Sequence, residues 1–222
     1  YTVEYYKDGE KAEETPHTVT VQVLAPDTLT VEDVNITDKY VGYTLDSIKV
    51  GEETVTELPK TVENGTIIKV YYVKGEFDYM IEYYYSGTKD ESKTVKGKAK
   101  FDTEINEYEN KVEKGYELEK VENLPLKVSE KAENNIIKVY YVKEKFGYTV
   151  EYYYDGTKDE SKTENLKGEY GAQITEYVDK TIKGYKLERV ENSPLTITDN
   201  ELLNVIKVYY AKESYGYTVN YY

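Results

Sequence analysis

The chain repeats itself, and the period constrains every other reading. The stretch "YMIEYYYSGTKDESKT" begins at Tyr79 and "YTVEYYYDGTKDESKT" at Tyr148, and 148 − 79 = 69. A further start, "YTVNYY", begins at Tyr217, and 217 − 148 = 69. The stretches "IIKVYYVK", "IIKVYYVK" and "VIKVYYAK" begin at Ile67, Ile136 and Val205, with the same spacing. Gly115-Tyr116 and Gly184-Tyr185 keep it too. A divergent copy opens with "YTVEYYKDGEKAEE" at Tyr1, and its start lies 79 − 1 = 78 residues before the next. Its extra residues fall around "HTVTVQVLAPDTLTVEDVNITDKYVGY" and before "NGTIIKVYY", where a longer hairpin or an added strand is expected. Length alone suggests one or two domains, but repetition overrides that prior. The expected division is 1–76, 77–145 and 146–214, with 215–222 as the truncated first strand of a fourth repeat. A chain that opens without Met reads as a piece of a longer protein.

Within a copy the pattern is mostly two-periodic. Tyr148, Val150, Tyr152 and Tyr154 share one face of an opening strand, and Thr149, Glu151 and Tyr153 the other. Asp155-Gly156, Ser86-Gly87 and Asp8-Gly9 then supply hairpin turns. The closing strand splits the same way. Ile137, Val139 and Tyr141 are expected in the core beside Ile81 and Tyr83, and Lys138 and Tyr140 on the outer face beside Glu82 and Tyr84. If opening and closing strands pair, each copy carries a Glu–Lys and a Tyr–Tyr pair on an open face. The equivalents are Glu4, Tyr6, Lys69 and Tyr71, then Glu151, Tyr153, Lys207 and Tyr209.

One segment carries helical spacing. Ile174, Tyr177, Val178 and Ile182 fall on one helical face, as do Ile105, Tyr108 and Val112. Asp102 is placed to cap the earlier helix, and Gly115 and Gly184 to end the two in left-handed conformation. "GYKLERV" and "PLTIT" read as further strands. Each unit is therefore read as about five strands and one short helix, with a core that must hold without disulfide or metal.

Composition narrows the function. The net charge is −14 with pI near 4.7, which disfavours nucleic acid and anionic membrane, because phosphate would repel the chain. There is no cysteine, so disulfides and thiolate chemistry are excluded. No long apolar run or signal peptide is visible. The aromatics are 28 Tyr, 3 Phe and 0 Trp. Tyrosine favours strands and buries a ring while its hydroxyl reaches water, which suits thin domains in which few positions lie far from solvent. His17 is the single histidine and is read as a loop or strand residue. No nucleophile elbow, P-loop, dinucleotide turn or HExxH occurs, and "DGTKDESKT" reads as a solvated hairpin. A Lys–Asn crosslink at Asn134 or Asn135 is not expected, since the opening strands carry Glu82 and Glu151 and no Lys. The chain is therefore read as non-enzymatic, without cofactor or metal, and monomeric.

Two surface features remain. The outer face reads as a stabilised open sheet. In the competing reading, Tyr84, Tyr140, Tyr153 and Tyr209 face a ligand by stacking on sugar rings. Between copies stand only "KGEFD", "KEKFG" and "KESYG", too short to act as free coil. Each carries one aromatic, and Phe77, Phe146 and Tyr215 are read as plugs that fix the junctions, giving a stiff rod of about 3–4 nm per repeat.

The "YTVEYYYDG" opening, the "K-G" step, "ITEY…KGY" and the closing "IKVYY" together resemble the mucin-binding-protein (MucBP-type) repeats of Gram-positive cell-surface proteins. The likeness covers residues 79–212 well and 1–73 loosely. It implies an α+β fold of tandem β-grasp-like, ubiquitin-like modules arranged as an elongated rod. It also implies an extracellular, wall-anchored parent and a role as the stalk of an adhesin. The alternative it implies is a module that binds host mucin or another glycoprotein. Internalin-type B-repeats, also β-grasp-like, are the nearest rival family.

Overall fold

The computed structural model describes residues 1–12, 17–18, 20, 28–31, 36–37 and 39–222. The chain divides into two compact units: residues 1–82, 91–109 and 121–138, and residues 83–90, 110–120 and 139–222. The first copy lies in the first unit, the third copy in the second, and the middle copy contributes to both.

In the third copy, the opening strand Lys145–Tyr154 runs parallel to the closing strand Val205–Lys212, from Thr149↔Val205 to Tyr154↔Tyr210. Tyr185–Glu191 flanks the closing strand antiparallel, with a bulge between Leu187 and Arg189. Thr157–Lys158 and Glu164–Glu169 pair along the opening strand. A small ladder, Gln173–Ile174 with Leu195–Thr196, lies outside this sheet. The first copy follows the same plan. Its opening strand Thr2–Lys7 is parallel to Ile67–Lys74, from Thr2↔Ile67 to Lys7↔Tyr72. Tyr43–Val50 flanks that closing strand, with a bulge between Leu45 and Ser47. It adds the strand Glu53–Val55, and its own small ladder joins Thr28–Thr30 to Thr61–Glu63. Much of the expected insertion, residues 13–16, 19, 21–27, 32–35 and 38, lies outside the described residues. The middle copy carries opening strand Glu76–Tyr85 and closing strand Ile136–Lys143.

Alternation sorts the side chains as the pattern requires. Val150, Tyr152 and Tyr154 are buried with Ile206, Val208 and Tyr210, and Leu195 and Ile197 close this core. Val3, Tyr5, Ile68, Val70 and Tyr72 form its counterpart in the first copy. Ile137, Val139, Tyr141, Ile81 and Tyr83 are likewise buried. Burying each of the aliphatic side chains among them is worth roughly 1.5–3 kcal/mol.

The expected helix does not form, and the α+β, β-grasp-like reading is corrected accordingly. Strands make up 53% of the described residues and helical turns 4%. Among the described residues there is no α-helix, only the single 3-10 turns Glu91–Lys93, Ala132–Asn134 and Glu201–Leu203. Residues 106–113 and 175–182 run without regular structure. Their backbone groups bond to tyrosine hydroxyls in place of the helical i→i−4 pattern. Tyr152 and Tyr154 donate to the carbonyls of Val178 and Lys180 at 2.8 and 2.5 Å, and the Lys180 N–H donates to Tyr210 Oη at 2.8 Å. In the middle copy Tyr85 donates to the Lys111 carbonyl, and the Lys111 N–H to Tyr141 Oη. The supposed apolar stripe is not a buried face: Val112, Val178 and Ile182 are exposed. Asp102 caps no helix. It sits in a turn at φ 68° and pairs with Lys127 at 2.7 Å. Gly115 and Gly184 do adopt left-handed φ, in turns before strands.

Candidate functional site

The open face carries the predicted tyrosines in pairs. Parallel register sets Tyr153 beside Tyr209 and Tyr6 beside Tyr71. The rings stack at 4.7 and 4.8 Å, and Tyr84 stacks on Tyr140 at 4.8 Å. Cations lie over the closing-strand member of each pair. The Arg189 guanidinium is 3.8 Å from the centre of Tyr209, Lys120 is 4.6 Å from Tyr140, and Lys49 is 5.8 Å from Tyr71. The bulge before Arg189 places it opposite Tyr209, where it also pairs with Glu191 at 3.0 Å. Tyr153 donates to Glu151 at 2.8 Å and Tyr209 to Glu191 at 3.1 Å. Partial burial and the Glu151 carboxylate push the Tyr153 hydroxyl up to about 12. Burial opposes ionisation of Glu151 itself, but hydrogen bonds from Lys158 and Tyr153 outweigh it and hold the carboxyl below its usual range. Glu151 sits opposite Lys207 in register, yet its ion pair at 2.8 Å is with Lys158 of the hairpin. The face is thus a closed set of ring, cation and carboxylate contacts.

The second feature is the junction between copies. The linkers are shorter than the sequence suggests, because most of their residues belong to strands. Between Lys74 and Glu76 stands only Gly75, and between Lys143 and Lys145 only Glu144. The Gly75 N–H donates to the Gly42 carbonyl of the copy before at 2.9 Å, and its carbonyl accepts from the Phe101 N–H of the copy after at 2.8 Å. Glu144 does the same between Gly115 and Tyr170, at 3.0 and 2.9 Å. The residues that follow are held in a ladder, Glu76 and Phe77 against Lys100 and Ala99, and Lys145 and Phe146 against Glu169 and Gly168.

An aromatic ring closes each junction. Gly42 and Gly115 have φ +75° and +78°, and a Cβ on them would stand 2.2 Å from the Phe101 ring and 2.0 Å from the Tyr170 ring. Only glycine fits a ring seated so close. Phe77 packs edge-on to Phe101 at 6.3 Å, and Phe146 to Tyr170 at 6.0 Å. Those two predicted residues therefore lie at the junctions, but they buttress the sealing ring and do not form it. Phe101 and Tyr170 escaped the sequence reading, although 170 − 101 = 69 and both interrupt polar stretches. Tyr215 is 75% exposed, in a segment without strands. Beside it, the Glu213 N–H still bonds the Gly184 carbonyl at 2.9 Å, but nothing lies within 4 Å of a Cβ at Gly184.

Buried asparagines tie each junction to its own copy. Asn204 donates to the carbonyls of Gly147 and Thr198 at 3.1 and 2.8 Å and accepts from the Thr198 N–H and hydroxyl. Asn135 makes the same four bonds with Asp78 and Ser129. These amides are saturated by hydrogen bonds. Among the described residues no group of three or more His, Cys, Asp or Glu side chains is placed to hold a metal, and no helix is long and apolar enough to cross a membrane. The side chain of His17 lies outside the described residues. No family model matches the chain, and no curated protein matches it.

Proposed function

We propose that the chain is a non-enzymatic stalk of tandem repeats in a bacterial surface protein, holding a distal domain away from the cell wall. The observation that carries this reading is the junction. A single linking residue has its N–H bonded to one copy and its carbonyl to the next, with an aromatic ring seated on a left-handed glycine, and this arrangement occurs twice. Free linkers would leave these backbone groups to water, and a linker fixed at both ends suits a spacer of constant step. The step follows from the third copy. Lys145 to Tyr154 is nine residue steps, and Tyr210, paired with Tyr154, precedes Lys212 by two. Eleven steps at about 3.3 Å give a rise of roughly 36 Å per copy. The wall-anchored, extracellular setting is part of the proposal and draws on the likeness to MucBP-type repeats. Host mucin as a partner fits the open face less well, because its stacked rings already carry cations and carboxylates. Small-angle X-ray scattering tests the stalk: an elongated monomer is expected, and a compact globular profile would overturn it.

A further inference from the structure

We infer that each copy is built to resist tension along the chain, so that the array transmits pulling force as well as setting distance. The inference deepens the stalk reading, which supplies the source of the force.

It begins with topology. The chain enters the third copy at Lys145 and leaves it at Lys212, and the strands bearing these two ends are adjacent and parallel. Tension draws the amino end of one strand against the carboxyl end of its neighbour, along the strand axes. Sliding displaces every pair from Thr149↔Val205 to Tyr154↔Tyr210 by the same amount, so the bonds between them must fail together. Two more backbone bonds lengthen the ladder, Thr149 N–H to Asn204 O at 2.9 Å and Asp155 N–H to Tyr210 O at 3.0 Å. An antiparallel pair joined at one end would instead peel open bond by bond. The first copy has the same geometry, from Thr2↔Ile67 to Lys7↔Tyr72.

Side chains lock the slide on both faces. Tyr153 stacks on Tyr209 on the open side at 4.7 Å, and Tyr154 on Tyr210 on the core side at 5.1 Å with planes 10° apart. A shift of one residue would separate both ring pairs and turn the buried set of the displaced strand outward. Asn204, on the closing side, also holds the Gly147 carbonyl near the start of the opening strand. The outer tyrosines, which as ligand residues lack an open ring face toward their partner strand, gain a purpose as a shear lock.

The test uses the absence of cysteine from the natural chain. Handles are attached to the full chain through paired substitutions at exposed sites, and the third copy is unfolded by single-molecule force spectroscopy. Lys145→Cys with Lys212→Cys loads the parallel pair in shear. Lys186→Cys with Lys212→Cys loads the antiparallel pair Lys186↔Ala211 at its end. The rupture force in shear is expected to exceed the peeling force by about two-fold or more, since forced unfolding follows the barrier to unfolding. Equal forces in the two geometries would overturn the inference while leaving the stalk reading intact. A compact scattering profile would do the reverse.

Discussion

Tyr210 uses its hydroxyl twice. It donates to Asp179 at 2.6 Å and accepts from the Lys180 N–H at 2.8 Å, while its ring is buried. Phenylalanine would keep the ring and leave a backbone N–H of an irregular segment without its partner. Tyr210→Phe should cost about 1–3 kcal/mol, the usual penalty for an orphaned buried group, measured by chemical denaturation. Tyr209→Phe, one residue away on the open face, should fall within about 0.5 kcal/mol of the parent. Asn204→Ala removes four hydrogen bonds from a fully buried site and should cost about 2–4 kcal/mol in the same assay. Alternation along the strand told which tyrosines are buried. It could not tell what their hydroxyls reach, because the partners lie in segments whose helical spacing gives no sign of the irregular backbone they adopt.

The same limit explains the missing helix at the scale of the element. Ile174, Tyr177, Val178 and Ile182 have helical spacing, yet only Ile174 and Tyr177 pack against the core, and Val178 and Ile182 are exposed. Spacing reports a periodicity in sequence; it says nothing of a competing set of hydroxyl donors on strands about 30 residues distant in the chain. The glycines were legible for a related reason. Left-handed φ is a local demand, and Gly115 and Gly184 meet it in a turn as they would at a helix end. What sits on them is not local, so Phe101 and Tyr170 were missed. The two glycines should consequently differ. Gly184→Ala carries only the left-handed penalty of about 1–2 kcal/mol, since no atom lies near its Cβ. Gly115→Ala adds a clash with the Tyr170 ring and should cost about 1–3 kcal/mol more. Thermal denaturation of the two variants side by side checks the difference.

Across the whole molecule the tyrosines set a pH limit. Burial first, then the hydrogen bond to Asp179, pushes the Tyr210 hydroxyl up to about 12 from an ordinary 10.0, and burial pushes Tyr152 higher still. A raised value means that the folded chain keeps protons which the unfolded chain releases. The resulting stability is complete below pH about 10 and falls as pH rises toward 12. Alkaline titration followed by tyrosinate absorbance and circular dichroism should show ionisation of these groups together with unfolding; ionisation at the ordinary value in a chain that stays folded would refute it. The repeat itself was the most legible feature of the molecule, because identical strands leave identical words in the sequence. The junction was only half legible, as one residue of linker looks like five when strands continue through it. That economy has a bearing on inheritance. Since Gly75 and Glu144 make the same bonds at equivalent positions, an in-frame duplication or loss of one 69-residue block regenerates a matched joint at both of its borders. Recombination can therefore lengthen or shorten the gene by whole copies without a compensating mutation at any seam.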